Sequence, residues 1–234
     1  MKLKLLSIFG VLLISAVPMI GAHAAQFDVA DPLYLEKSGD FVSRSNISYT
    51  DDILRLSQKF SYGINDKLSI GADLKYQQDF NGREDGFSNI GLHGIYRLST
   101  GPTIADALFG ISFGGSKRVR EPDFADTVYS AGVRFGRVWN RFTLAGTVKT
   151  SWIFDENRGM AYINLIPEAY VRITDKWMTG IGFDFQKSTN PNFDREWINF
   201  KLVRQYGRTQ YVAHVDYEFE NENWMGGLKI NIVF

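Results

Sequence analysis

From residue 41 to its end, the chain alternates apolar and polar residues with period two, and this pattern constrains its fold more than any other feature. Leu68, Ile70, Ala72, Leu74 and Tyr76 share one face against Ser69, Gly71, Asp73 and Lys75, and near the end Trp224, Leu228, Ile230, Ile232 and Phe234 oppose Lys229 and Asn231. A period of two belongs to a strand with two chemically different faces. About twelve such segments can be marked. They cover 41–50, 53–64, 67–77, 87–98, 105–116, 127–139, 141–154, 161–174, 176–187, 196–206, 209–220 and 223–234. Ten strands, or fourteen if the N-terminal segment contributes, stay open.

The connections alternate in length. Tight ones at Asn65-Asp66, Asn140-Arg141, Asp175-Lys176 and Gly207-Arg208 trade places with longer ones at 79–85, 117–126, 155–160 and 188–195. Residues 50–52 and 99–104 break that order. Short turns at one end and long loops at the other are expected of an all-β fold, a transmembrane antiparallel up-and-down β-barrel. A soluble sandwich would alternate as well, but would concentrate large aromatics at strand centres. Here Trp139 and Trp177 fall beside short turns with Tyr62, Tyr96 and Phe142, while Trp152, Trp197 and Trp224 fall beside long loops with Tyr76, Phe154, Phe185 and Phe219. Two such rings are expected at the two water boundaries of a bilayer. Arg137 and Arg204, on the apolar face near short turns, are placed to reach one of those boundaries. Gln58 and Pro167 sit mid-strand on that face and predict a bulge or register break.

Met1 to Ala24 reads as a secretory signal: Lys2 and Lys4, an apolar run from Leu5 to Ile20, and the small-residue end Ala22-His23-Ala24. Its cleavage is expected to leave a periplasmic segment, 25–40, with no strand alternation, which is a candidate plug, and the barrel, 41–234. With 26 basic and 26 acidic side chains and no run of like charge, the chain lacks the footprint of a nucleic-acid binder. The absence of cysteine excludes disulfides, thiolate metal sites and cysteine nucleophiles. No cofactor site is read.

Leu228-Lys-Ile-Asn-Ile-Val-Phe234, an alternating strand ending in Phe234, resembles the C-terminal signal read by the bacterial outer-membrane barrel assembly machinery. Tyr62-Gly-Ile-Asn-Asp66-Lys-Leu-Ser-Ile-Gly71-Ala-Asp-Leu-Lys-Tyr76, followed by Asp85-Gly-Phe-Ser-Asn-Ile-Gly-Leu-His-Gly-Ile-Tyr96-Arg-Leu98, resembles a hairpin of the phenol-degradation (meta-pathway) type of outer-membrane transporter. The resemblance implies a porin- or transporter-like barrel in the bacterial outer membrane, with lipid, lipopolysaccharide and small-molecule solutes as partners and passive uptake as its activity. It transfers no binding residue and leaves the oligomeric state open.

If the apolar face meets lipid, the other face lines a lumen. The first six strands direct Arg44, Arg55, Lys59, Lys75, Arg97 and Arg134 inward against Asp73, so these six are the candidates for anion selectivity. Acidic loop residues Glu84, Asp85, Glu121 and Asp123 are the alternative partners of that wall. The last six strands direct Lys149, Arg172, Lys201 and Lys229 inward against Glu168, Asp184, Asp216 and Glu218, with Asp216 and Glu218 placed to pair Lys201 and Lys229. Inward glycines such as Gly71, Gly110, Gly180, Gly182 and Gly227 are expected to widen the interior. The expected function is a passive channel for small polar or anionic solutes. A closed structural or adhesion barrel is the alternative, followed by a lipid hydrolase using His93 or His214, although no nucleophile and base can be read from spacing.

Overall fold

The computed structural model describes residues 29–234 apart from 83, 89, 102, 117, 120–124 and 155–158. The export segment, Glu121 and Asp123 lie outside the described residues. Thirteen strands form one antiparallel sheet: β1 (Phe41–Tyr49), β2 (Ile53–Asn65), β3 (Leu68–Asp79), β4 (Gly86–Phe87), β5 (Gly91–Thr100), β6 (Thr103–Ser112), β7 (Val128–Trp139), β8 (Phe142–Ile153), β9 (Met160–Thr174), β10 (Trp177–Ser188), β11 (Arg195–Tyr206), β12 (Thr209–Glu218) and β13 (Asn223–Val233). The two-residue β4 and the longer β5 lie along the same side of β3, so the closed barrel has 12 staves. The last strand closes on the first, from Val42 opposite Val233 to Tyr49 opposite Gly226.

Local chemistry sets the tight turns. The Asn65 side-chain oxygen accepts the backbone N–H groups of Lys67 and Leu68 at 2.8 and 2.9 Å, and the Thr174 hydroxyl accepts those of Lys176 and Trp177 at 3.2 and 3.1 Å. Gly207, at φ 57°, takes the left-handed conformation that its turn needs. Because β5 ends at Thr100 and β6 starts at Thr103, the connection at 99–104 is a tight turn after all, and the length alternation holds there. The 50–52 connection stays short, closed by a hydrogen bond from the Thr50 N–H to the Ile53 carbonyl.

Burial is inverted relative to a soluble protein. Leu228 is 58% exposed and Leu165 49%, whereas Asp106 is fully buried and Asn231 and His214 nearly so. A polypeptide with an apolar exterior and a hydrogen-bonded polar interior, closed so that no strand edge is left unpaired, suits hydrocarbon surroundings. Rings cluster at both rims: Trp139 with Phe142 at the short-turn end, and Tyr217 with Trp224 and Tyr129 with Phe154 at the long-loop end. Arg137 lies 5.3 Å from the Trp139 ring and Arg204 5.3 Å from Trp177, so both cations are held at the short-turn boundary. Trp197 departs from the expected ring. It shares the inward face of β11 with Lys201 and stands opposite Glu218 and Asp184.

Neither Gln58 nor Pro167 breaks register. Ser45 Oγ donates to the Gln58 amide oxygen at 2.5 Å and the Gln58 nitrogen donates to Ser43 Oγ at 2.9 Å, so the polar group is satisfied within the wall and β2 runs on. At Pro167 the β9–β10 ladder omits the pairs facing Phe183 and Asp184 and then resumes in the same register. The register shifts lie instead at Gly63/Asn65, Arg97/Ser99 and Trp177/Met178, next to the short turns.

Candidate functional site

A concavity of about 850 Å³ lies on the outer wall between rows of apolar side chains including Phe60, Ile70, Leu92 and Phe109. Its position is that of lipid contact. The polar site is the lumen, which the N-terminal segment enters from the short-turn end.

The short-turn mouth carries a collar of apolar side chains on the inner face: Val42, Met178, Val203, Val212 and Val233, all buried. Val29 packs on Val42 and Val233, and Ala30 on Tyr170, Met178, Val203 and Val212. Polar anchors complete the seat. The Leu33 carbonyl accepts from Arg97 at 2.6 Å and the Tyr34 carbonyl from Arg134 at 3.1 Å. Asp31 accepts the Thr143 hydroxyl at 2.8 Å, and Glu36 accepts the Arg44 guanidinium at 2.6 Å. These contacts carry residues 29–36 across the mouth, from β1 past β5, β7 and β8 and back to β13. Burial pushes the Glu36 carboxyl up, but the Arg44 charge and hydrogen bonds from Ser69 and Arg44 outweigh it and hold the group below the usual glutamate range.

The expected basic wall is largely neutralised. On β6, Asp106 stands directly opposite Arg97 of β5 and Arg134 of β7, accepting from each guanidinium Nε at 2.8 Å. Arg44 is claimed by Glu36 and by Ser61 at 2.9 Å, and Arg55 donates to Gln77 at 3.0 Å. Asp85 does not fold onto the wall; it accepts the Asp79 backbone N–H at 2.7 Å. Lys59 has no hydrogen bond or ion pair among the described residues. Although Asp73 is its direct cross-strand partner, that carboxylate turns towards His93, at 3.5 Å. Lys75 lines the same cavity as Lys59.

The second wall pairs differently from its strand order. Asp216 goes to His214 Nδ1 at 2.8 Å, and Lys201 passes over β10 to Glu168 on β9 at 2.9 Å and to the Tyr170 hydroxyl at 2.8 Å. Gly180 and Gly182 on β10 create that passage. A Cβ on Gly180 would fall 2.6 Å from the Tyr170 ring, and one on Gly182 3.1 Å from Glu168. Asp184 accepts from Asn164 at 2.9 Å, Glu218 is buried near the long-loop rim, and Lys149 and Lys229 have no hydrogen bond or ion pair among the described residues. Several inward glycines therefore seat a ring as well as opening space: His93 lies over Gly71, Tyr170 over Gly180 and His214 over Gly227. The second nitrogen of His214 faces Asn46 at 3.0 Å, so neither of its nitrogens is directed at a hydroxyl nucleophile. Phe234 closes the last strand at the short-turn rim, its N–H bonded to the Phe41 carbonyl at 2.9 Å.

Two neighbouring spaces in the lumen share Pro32, Lys59, Ile95, Arg134 and Glu168 in their linings. One, about 370 Å³, has Pro32 as its floor and is lined by Lys59, Lys75, Lys149, Arg134, Asp73 and Glu168 among others; the second, about 230 Å³, runs beside the N-terminal segment from Lys59 to Lys201.

This closed barrel with its apolar belt matches solved structures. The chain has the fold of outer-membrane porins. It is similar to the KdgM porin at a TM-score of 0.66 and 11% identity, covering 82% of this chain and 99% of that one. An outer-membrane channel from Pseudomonas putida F1 is similar at 0.61 and 10%, covering 86% and 97%. The translocator domain of the autotransporter NalP from Neisseria meningitidis is similar at 0.59 and 12%, covering 88% and 91%. No protein-family model and no curated protein matches the sequence. A barrel shared by porins and a translocator domain does not itself specify an activity, which must come from the lumen.

Proposed function

We propose that this protein is a passive channel of the bacterial outer membrane for small polar or anionic solutes, with residues 29–36 acting as a plug at the periplasmic mouth. The observation that carries this reading is the polar lumen space with surplus positive charge. Lys59, Lys75 and Lys149 line it beside Arg134, which Asp106 holds, against Asp73 beside His93 and Glu168 bound to Lys201. A barrel serving only as structure would gain by filling that interior, since voids forfeit packing. In a tube with low-dielectric walls, uncompensated ammonium groups raise the local concentration of anions, and selection follows from field and width without a chemical step. The selectivity role moves from the arginines to the lysines, because Arg97 and Arg134 are held by Asp106 and Arg44 by Glu36.

The solved structure of the KdgM porin in complex with disordered oligogalacturonate gives one acidic solute for a barrel of this shape. Planar-bilayer recording across a KCl gradient tests the reading. Anion-selective conductance, moved towards cations by Lys59→Gln with Lys149→Gln and less by Arg97→Gln, is expected. Absence of conductance in both the full mature chain and one lacking residues 26–36 would favour the structural barrel.

A further inference from the structure

The lumen space above Pro32 gathers polar side chains that make no close hydrogen bond among the described residues. Lys59 reaches it from β2 and Lys149 from β8, neither with a hydrogen bond or ion pair among the described residues. Ser151, two residues along β8 from Lys149, is 1% exposed and its hydroxyl has no hydrogen-bond partner. Both ring nitrogens of His93 are likewise buried without a hydrogen bond, since the 3.5 Å approach of Nδ1 to Asp73 is longer than a good one. Unpaired buried polar groups are costly, and proteins seldom keep several around one space without a use for them. Donors predominate among them: two ammonium groups that only donate, a hydroxyl that can donate, and an imidazole with one N–H and one acceptor nitrogen. Each carboxylate lining the space is oriented elsewhere, Glu168 towards Lys201 and Tyr170, Asp73 towards His93.

We infer that this space is a saturable binding site for one small organic carboxylate, held by charge-assisted hydrogen bonds from Lys59 and Lys149 and a neutral one from Ser151. The inference rests on the channel reading above and adds a resting point to it: the solute pauses on the plug before the plug lets it pass. A volume of about 370 Å³ suits a single sugar-acid or aromatic-acid ring. Lys59 also lines the smaller space beside the plug, so one ammonium group borders both spaces.

The test is a binding measurement that does not depend on conduction. The refolded mature chain in detergent is titrated with sodium galacturonate, with neutral galactose as control, by saturation-transfer NMR. Saturable binding of galacturonate alone is expected, with Lys59→Gln and Lys149→Gln each weakening it by about tenfold or more and Ser151→Ala by a smaller factor. Heat-modifiable gel mobility checks that each variant is folded, and Lys59→Met and Lys149→Met replace any glutamine variant that is not. Equal binding of the two sugars, no binding by the wild type, or wild-type affinity in both lysine variants would overturn the site. Binding as expected in a protein that proves cation-selective or silent in bilayers would keep the site and remove the channel reading. Anion selectivity without saturable binding would do the reverse.

Discussion

Lys201 lies 2.9 Å from Glu168 although the two residues stand on strands separated by β10. The contact exists because the strand between them presents Gly180 and Gly182 to the lumen, leaving the lysine a path over the backbone. A side chain at either position closes it. Gly180→Val is expected to lower stability by about 1–3 kcal/mol through overpacking against Tyr170, measured by urea unfolding in detergent micelles. Gly226→Ala, where an added Cβ meets nothing within 4 Å, is the control and should be nearly neutral.

Asp106 is fully buried between Arg97 and Arg134. Removing its charge leaves two guanidinium groups facing each other at reduced water access, so Asp106→Asn should destabilise by roughly 3–5 kcal/mol. Pairing it with Arg134→Gln should recover part of the loss, and the double-mutant cycle reads the coupling directly. Purely additive losses would mean that water or loop carboxylates already neutralise the arginines.

The plug is expected to respond to acid. The Glu36 carboxyl sits below its ordinary value when docked on Arg44, so its contribution to docking is complete above the free glutamate value and is lost as pH falls through the docked one. Conductance should therefore rise on acidification below the free glutamate value. Glu36→Gln should remove that acid-induced step, and deletion of residues 26–36 should give a high, pH-insensitive conductance. Single-channel recording over an acidic pH series checks all three.

Strand positions and the two rims were legible because lipid imposes a strict rule on one face of every strand: Leu68 to Tyr76 and Trp224 to Phe234 obey it residue by residue. The inner face carries no such rule, and there the sequence misleads. Asp106 was hidden because β6 reads as apolar on both faces, with Ile104 and Leu108 sharing its side. Its register opposite Arg97 and Arg134 was the available signal. Glu36 lies in a segment without periodicity, and its partner on β1 follows from tertiary docking alone. The collar of Val42, Val203, Val212 and Val233 was in view as apolar residues on the wrong face at one level of the barrel, and such a band asks for something to cover it. Strand order suggested that Asp216 and Glu218 pair Lys201 and Lys229. Paired glycines on β10 and the nearby His214 redirected those charges.

Side-chain direction in the membrane can be measured directly, since the chain has no cysteine to remove. Spin labels at Leu165→Cys and Thr147→Cys, on adjacent strands near mid-height, are compared in lipid vesicles for collision with oxygen and with a water-soluble nickel chelate. The label at 165 should be reached by oxygen and shielded from nickel, and the label at 147 should show the opposite. Equal nickel access at both positions would contradict a lipid-facing exterior around a polar lumen.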